Sequence, residues 1–228
     1  MIQKIPLAFI NNHLFLELDG NAWLLDTGSP TSFGIQSNIT LAGKEFDLAT
    51  SGLGLDVETV SGFVNHQCVG LIGGDVLSCF DQIFDVENEV LAISQERLEH
   101  DGQIVSLSTF MNIPIVVSRV ADRDYRMFFD TGAQISYFQD DAIFNFSRIG
   151  EMADFYPGIG QFQTDTYQVE MALGGMRLSL VCGILPELLA ASLMMADARG
   201  IVGNQILLKR TAGFFPRRGV MTLGDEIC

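Results

Sequence analysis

Residues 23–33 (WLLDTGSPTSF) align without a gap with residues 127–137 (MFFDTGAQISY). In both segments three apolar residues lead into Asp-Thr-Gly, and a serine followed by an aromatic closes the match. Farther along, GLIGGDVL (70–77) matches GIVGNQIL (200–207), Phe84 falls on Phe214, and Val90-Leu91 falls on Val220-Met221. Upstream, Ile5-Pro6-Leu7 echoes Ile113-Pro114-Ile115. These echoes keep the same order in each half, so the chain is a duplicated unit and not a solenoid of short repeats. The most polar stretch between the two units, QERLEHDGQ at 95–103, marks the seam. The expected organisation is an N-terminal lobe at 1–100 and a C-terminal lobe at 101–228.

Within each unit the pattern reads as strands. Residues 14–18, a tight turn at Asp19-Gly20-Asn21 and residues 22–25 form strand, turn and strand; residues 113–117 and 125–129 repeat this around a charged turn at 121–124. The apolar runs before each Asp-Thr-Gly lack polar alternation, which predicts strands buried on both faces. Seventeen phenylalanines and 23 glycines fit a mostly β protein, and 48% hydrophobic residues suffice for a packed core. PELLAASLMM (186–195) is the best helix candidate, with proline at its start.

A carboxylate at the end of a buried apolar strand is costly unless it is satisfied or functional. Two lobes packed about a pseudo-twofold axis would bring Asp26 and Asp130 together. Two carboxylates at hydrogen-bonding distance cannot both ionise cheaply, so one keeps a proton and the other stays charged. The charged member can act as general base on a water while its protonated partner polarises a substrate carbonyl. Gly28 and Gly132 would let backbone and substrate approach closely. Thr27 and Thr131 can place hydroxyls across the pseudo-dyad. The Ser29 hydroxyl is expected on the Asp26 carboxylate; Ala133 offers no counterpart, which would make Asp26 the more readily ionised member.

These residues resemble the pepsin and retroviral-protease superfamily of aspartic peptidases: two Asp-Thr-Gly triplets, each followed by an apolar-apolar-Gly element (Leu71-Ile72-Gly73 and Ile201-Val202-Gly203). The resemblance implies an all-β, bilobal, pepsin-like fold of two retropepsin-like lobes with few short helices. It implies Asp26 and Asp130 as catalytic residues, with Thr27, Gly28, Ser29, Thr131 and Gly132 in support. The segment FYPGIGQF (155–162) is similar to the flap of the retroviral enzymes, so Phe155, Tyr156, Gly158, Ile159 and Gly160 are expected to cover bound peptide. The interval 29–70 is shorter than the matching 133–200, which places the flap in the second lobe. The implied activity is endopeptidase, favouring extended hydrophobic segments, with no cofactor. Both aspartates lie in one chain, so a monomer is expected.

Other chemistry has little support. A net charge of −15, from 28 acidic and 13 basic residues, argues against nucleic acid. The basic groups Lys209-Arg210 and Arg217-Arg218 read as solvated loop ends. His13, His66 and His100 lack close ligand spacing, so no metal is expected. No apolar run is long enough to cross a bilayer, no signal peptide is legible, and the four cysteines form no CxxC pattern. A cytoplasmic protein with reduced thiols is the expectation. The rival reading is a catalytically weak or silent peptidase fold that binds peptides or a partner protein.

Overall fold

The structure, a computed structural model, describes residues 1–156 and 160–226. Two large sheets dominate, and helices are few and short. In the first half, the hairpin Ile2–Ile10/His13–Leu18 leads through Asp19-Gly20, both at positive φ, into Asn21–Leu25. Strand Gly70–Ile72 then runs parallel to Asn21–Leu25 and antiparallel to Phe33–Gly34. The second half repeats this arrangement: Gly200–Val202 runs parallel to Arg123–Phe129 and antiparallel to Ser136–Phe138. Even the register is conserved, since Phe33 faces Leu71 as Tyr137 faces Ile201. The duplicated motif is therefore duplicated structure.

The strands entering each Asp-Thr-Gly are buried on both faces for a specific reason. Trp23 and Leu25 point into the main core while Leu24 packs on the other side against Phe33, Leu55, Val60 and Leu71. Met127 and Phe129 likewise serve the main core, and Phe128 joins Tyr137, Leu185, Leu189 and Ile201 on the opposite face. Alternation by one residue thus feeds two apolar clusters from one strand. Helix Glu187–Met195, preceded by Pro186 at its cap, closes the second of these clusters with Leu189 and Leu193.

A single ten-stranded sheet joins the halves, because Asp81–Asp85 pairs with Ala212–Phe215. Gln82 faces Phe214, Ile83 faces Gly213 and Phe84 faces Ala212. Phe84 and Phe214 are matched positions of the duplication, so this register maps onto itself when the halves are exchanged. The pseudo-twofold axis passes between Ile83 and Gly213. One echo does not survive: Ile5-Pro6 lies on Ile2–Ile10, paired with Val90–Ser94, whereas Ile113-Pro114 lies on the strand that corresponds to His13–Leu18. Pro6 falls in the middle of its strand and Pro114 at the second residue of its own, so the two are not equivalent positions.

The arginines expected to be solvated are structural. Asp81, 1% exposed, accepts from Arg217 at 2.7 Å, from Arg218 at 2.8 Å and from the Leu98 N–H at 3.0 Å. Arg217 also donates to the carbonyls of Gln95 and Glu96, and Arg218 to that of Leu98 while stacking on Phe215. The segment between the halves is thereby tied to both. Arg210 is also buried and donates to the Gly224 carbonyl. Removing Asp81 would strand two guanidinium groups that are only partly exposed. Asp81→Ala is expected to cost about 3 kcal/mol, lowering Tm by roughly 6–12 °C. Thermal denaturation checks this, and an unchanged Tm would contradict the clamp.

Candidate active site

Each Asp-Thr-Gly loop is pinned from below. The Asp26 N–H donates to the Ile72 carbonyl and the Asp130 N–H to the Val202 carbonyl, both at 3.0 Å. The matched serines hold the next turn: Ser32 Oγ accepts from the Gly73 N–H at 2.8 Å, and Ser136 Oγ from the Gly203 N–H at 3.1 Å. A Cβ on Gly73 would stand 2.7 Å from the Ser29 carbonyl oxygen, and one on Gly203 2.4 Å from that of Ile135. Glycine is required where the two segments cross.

The loops meet across the axis by reciprocal contacts. The Thr27 N–H donates to Thr131 Oγ1 at 3.0 Å, and the Thr131 N–H to Thr27 Oγ1 at 2.9 Å. The hydroxyls continue outward, Thr27 Oγ1 to the Phe129 carbonyl at 2.8 Å and Thr131 Oγ1 to the Leu25 carbonyl at 2.9 Å. Both threonines are buried, so no water competes for these bonds. Gly28 and Gly132 lie against the opposite carboxyl groups: a Cβ on Gly28 would be 2.2 Å from Asp130 Cγ, and one on Gly132 2.6 Å from Asp26 Cγ.

Asp26 and Asp130 thereby meet side by side at one site, each half-buried. Asp26 Oδ1 accepts the N–H groups of Gly28 and Ser29 at 2.8 and 3.0 Å; Asp130 Oδ1 accepts those of Gly132 and Ala133 at 2.8 and 3.2 Å. Burial pushes the Asp26 carboxyl well above the ordinary value near 3.8, and the neighbouring Asp130 charge pushes it further. Burial raises Asp130 too, opposed by the adjacent Asp26 carboxyl and by the loop N–H groups. A raised carboxyl stabilises the fold only while protonated. That stability is complete below the ordinary value and is lost as pH rises through the folded pKa.

The Ser29 hydroxyl does not reach Asp26; it donates to the Thr31 carbonyl at 2.9 Å, and Ser29 serves Asp26 through its backbone N–H alone. The two carboxyls have matching backbone donors, so the expected reason for Asp26 to ionise first is gone. The loop backbone provides symmetry that the differing side chains at 29 and 133 do not disturb.

Above the pair lies a cleft of about 330 Å³. Leu24, Phe33, Leu55 and Leu71 line one side; Phe128, Tyr137, Leu185 and Ile201 line the other. The long hairpin Ser147–Tyr156/Gly160–Leu173 of the second half borders it, with Phe155 and Tyr156 in its lining. Gly160, at φ +85°, pairs with Tyr156, while Gly158 and Ile159 fall outside the described residues. The first half has no comparable hairpin: short strands Ser51–Gly52 and Leu55–Asp56 lead into helix Val57–Phe63, capped by Asp56. Phe155 stacks on Phe63 of that helix at 4.5 Å, joining the two walls.

Several neighbours carried no legible signal. Asp154 is buried two residues before Tyr156 on the first strand of the hairpin and accepts from Tyr137 Oη, from Gln134 Nε2 at 2.9 Å and from the Phe155 N–H at 2.8 Å. Burial and the Asp154 charge push the Tyr137 hydroxyl far up. His13 Nδ1 lies 3.2 Å from the Gly132 carbonyl, and burial lowers its pKa against the pull of Asp154. These side chains come from separate elements, so no spacing in the chain connects them. Among the described residues no cluster of three or more His, Cys, Asp or Glu could hold a metal, and no helix is long and apolar enough to cross a membrane. Cys68, Cys79 and Cys182 are free thiols.

No protein-family model and no curated protein sequence matches the chain. Among solved structures, it is similar to the crystal structure of aspartic proteinase from Irpex lacteus. The TM-score is 0.54 at 12% identity, covering 99% of this chain and 98% of that one. The chain has the bilobal, all-β, pepsin-like fold. At that identity the likeness speaks for the fold alone, and the chemistry rests on the residues above.

Thr27→Val keeps shape but removes both an acceptor and a donor, leaving the Thr131 N–H and Phe129 carbonyl unsatisfied in the interior. It is expected to cost roughly 2–4 kcal/mol, whereas Thr27→Ser should cost well under half of that. Denaturant unfolding distinguishes them. Equal losses for both variants would show that the hydroxyl is not what joins the loops.

Proposed function

We propose that the chain is an aspartic endopeptidase, its two lobes at 1–100 and 101–228, with Asp26 and Asp130 as a catalytic dyad sharing one proton. The observation that carries this reading is the pair of half-buried carboxyls, held close together across the axis at the floor of an apolar cleft. A purely structural role would not account for two adjacent carboxyls that face a cavity. In the mechanism, the ionised carboxyl takes a proton from a water molecule as its oxygen attacks the peptide carbonyl carbon. The protonated carboxyl hydrogen-bonds to the carbonyl oxygen, stabilising the tetrahedral diol. Proton transfer to the amide nitrogen then breaks the C–N bond, giving an acid and an amine and returning the shared proton.

The substrate is an extended polypeptide whose bulky apolar side chains fill the two walls on either side of the dyad. Pseudo-symmetric pairs such as Leu24 with Phe128 and Leu71 with Ile201 offer similar surfaces to both sides of the cleaved bond. Phe155, Tyr156, Gly158, Ile159 and Gly160 form the flap in this reading, supplying backbone hydrogen bonds and excluding water. One chain supplies both carboxyls, so the working form is a monomer and no cofactor takes part.

Asp26→Asn and Asp130→Asn should each lower kcat by roughly 10³-fold or more while Tm is kept, because each removes half of the shared-proton system. Activity should rise as the first proton leaves the pair and fall as the second leaves, the falling limb lying above the ordinary carboxylate range. Digestion of an unfolded protein across pH, with both variants beside wild type, tests this. Turnover retained in either variant, or still climbing through alkaline pH, would overturn the dyad mechanism.

A further inference from the structure

Seven two-residue hairpin turns place both residues at positive φ among the described residues, beginning at Asn11, Asp19, Ala42, Leu53, Met111, Ala121 and Gly174. Positive φ costs an L-residue unless it is glycine, or asparagine or aspartate with a locally bonding side chain. Three of these turns follow that rule, and two begin with alanine, which bears the same Cβ strain without a longer side chain. Only Leu53 (φ 51°) and Met111 (φ 50°) bear it under a bulky apolar side chain. They are also 56% and 68% exposed, so burial of their side chains in the core does not repay the strain. Of the seven turns, only these two line the cleft above Asp26 and Asp130.

They stand on opposite walls. Leu53 tips the hairpin Ser51–Gly52/Leu55–Asp56 of the first half, and Met111 tips Ser108–Phe110/Ile113–Val120 of the second. They are not pseudo-symmetric mates: the turn that matches Met111 begins at Asn11, whose side chain donates to the Asn65 carbonyl at 2.8 Å and ties down the helix end. The same backbone conformation is thus filled by a strain-tolerant, bonded residue away from the cleft and by a bulky apolar one at its edge. Met195, 77% exposed at the end of Glu187–Met195, also lines the cleft.

We propose that Leu53 and Met111 are specificity residues, which hold apolar side chains of a bound extended peptide at positions beyond the two that flank the cleaved bond. The proposal rests on the reading of the cleft as a peptide site. The deep walls are built of buried side chains and take the central pair; the exposed tips take what lies outside it. Methionine, unbranched and adaptable, suits a rim that accepts varied aliphatic or aromatic residues.

The test uses Asp130→Asn protein, which binds without turning over, and two fluorescent peptides with the same bulky apolar central pair. One carries leucine and the other serine at the outer positions. The leucine peptide should bind about tenfold tighter. Adding Leu53→Asn and Met111→Asn should abolish that preference while raising Tm by roughly 2–4 °C per turn, since asparagine relieves the strain. Leu53→Met with Met111→Leu should keep the preference, and Leu53→Gly with Met111→Gly repeats the loss with the residue freest at this φ. A rise in Tm with the tenfold preference intact would show that the tips are merely strained turns. Equal binding of both peptides by the Asp130→Asn parent would also overturn the proposal. Failure of wild type to cleave any peptide would count against the endopeptidase reading, and the binding comparison would still decide this one.

Discussion

Thr27 and Thr131 exchange hydrogen bonds across the pseudo-twofold axis, each accepting the other's N–H and each donating to a carbonyl at the end of the other's strand. Four buried bonds between two tight loops leave little freedom in how the loops meet. Contacts of this self-complementary kind are what twofold symmetry produces, residue for residue in both directions. The same symmetry appears in the sheet at Ile83 and Gly213, behind the loops. The carboxyl groups of Asp26 and Asp130 are forced together by this frame. Without it, burying either would cost several kcal/mol with nothing gained. With it, four backbone N–H groups offset the cost of the pair.

Around that symmetric centre the halves diverge. The second half extends a long hairpin along the cleft's border, and the first half answers with a short helix against which Phe155 stacks through Phe63. Each wall draws its apolar surface from the outward-facing residue of an otherwise core-directed strand, Leu24 on one side and Phe128 on the other. Cleft and core are therefore coupled: a change in the strands that position the aspartates also changes the surface a substrate would meet.

The duplicated Asp-Thr-Gly and the apolar-apolar-Gly elements made the symmetric part legible, because both report backbone conditions that only a few residues meet. Gly73 and Gly203 sit where carbonyl oxygens leave no room for a Cβ, and the matched serines at 32 and 136 bond to their N–H groups. What escaped were contacts between single residues far apart in the chain. Asp154, Tyr137 and His13 come from three strands, and Asp81 meets Arg217 and Arg218 across more than half of the chain. Local pattern carries no trace of such pairs. The Ser29 hydroxyl was misplaced for a different reason: its turn offered a nearer acceptor in the Thr31 carbonyl. The Ile-Pro echo misled because a three-residue likeness is too short to fix a strand's place in the fold.

The central claim is that Asp26 and Asp130 hold one proton between them. It is tested most directly by carboxyl-selective NMR titration of protein carrying carbon-13 at the aspartate side chains, with Asp26→Asn and Asp130→Asn samples to assign the signals. The shared site predicts that both signals shift together in each of two steps, with the second proton leaving only above the ordinary carboxylate range. Replacing either aspartate should collapse the two steps into one. Two independent single titrations near the ordinary aspartate value, each unaffected by substitution of the other residue, would contradict it.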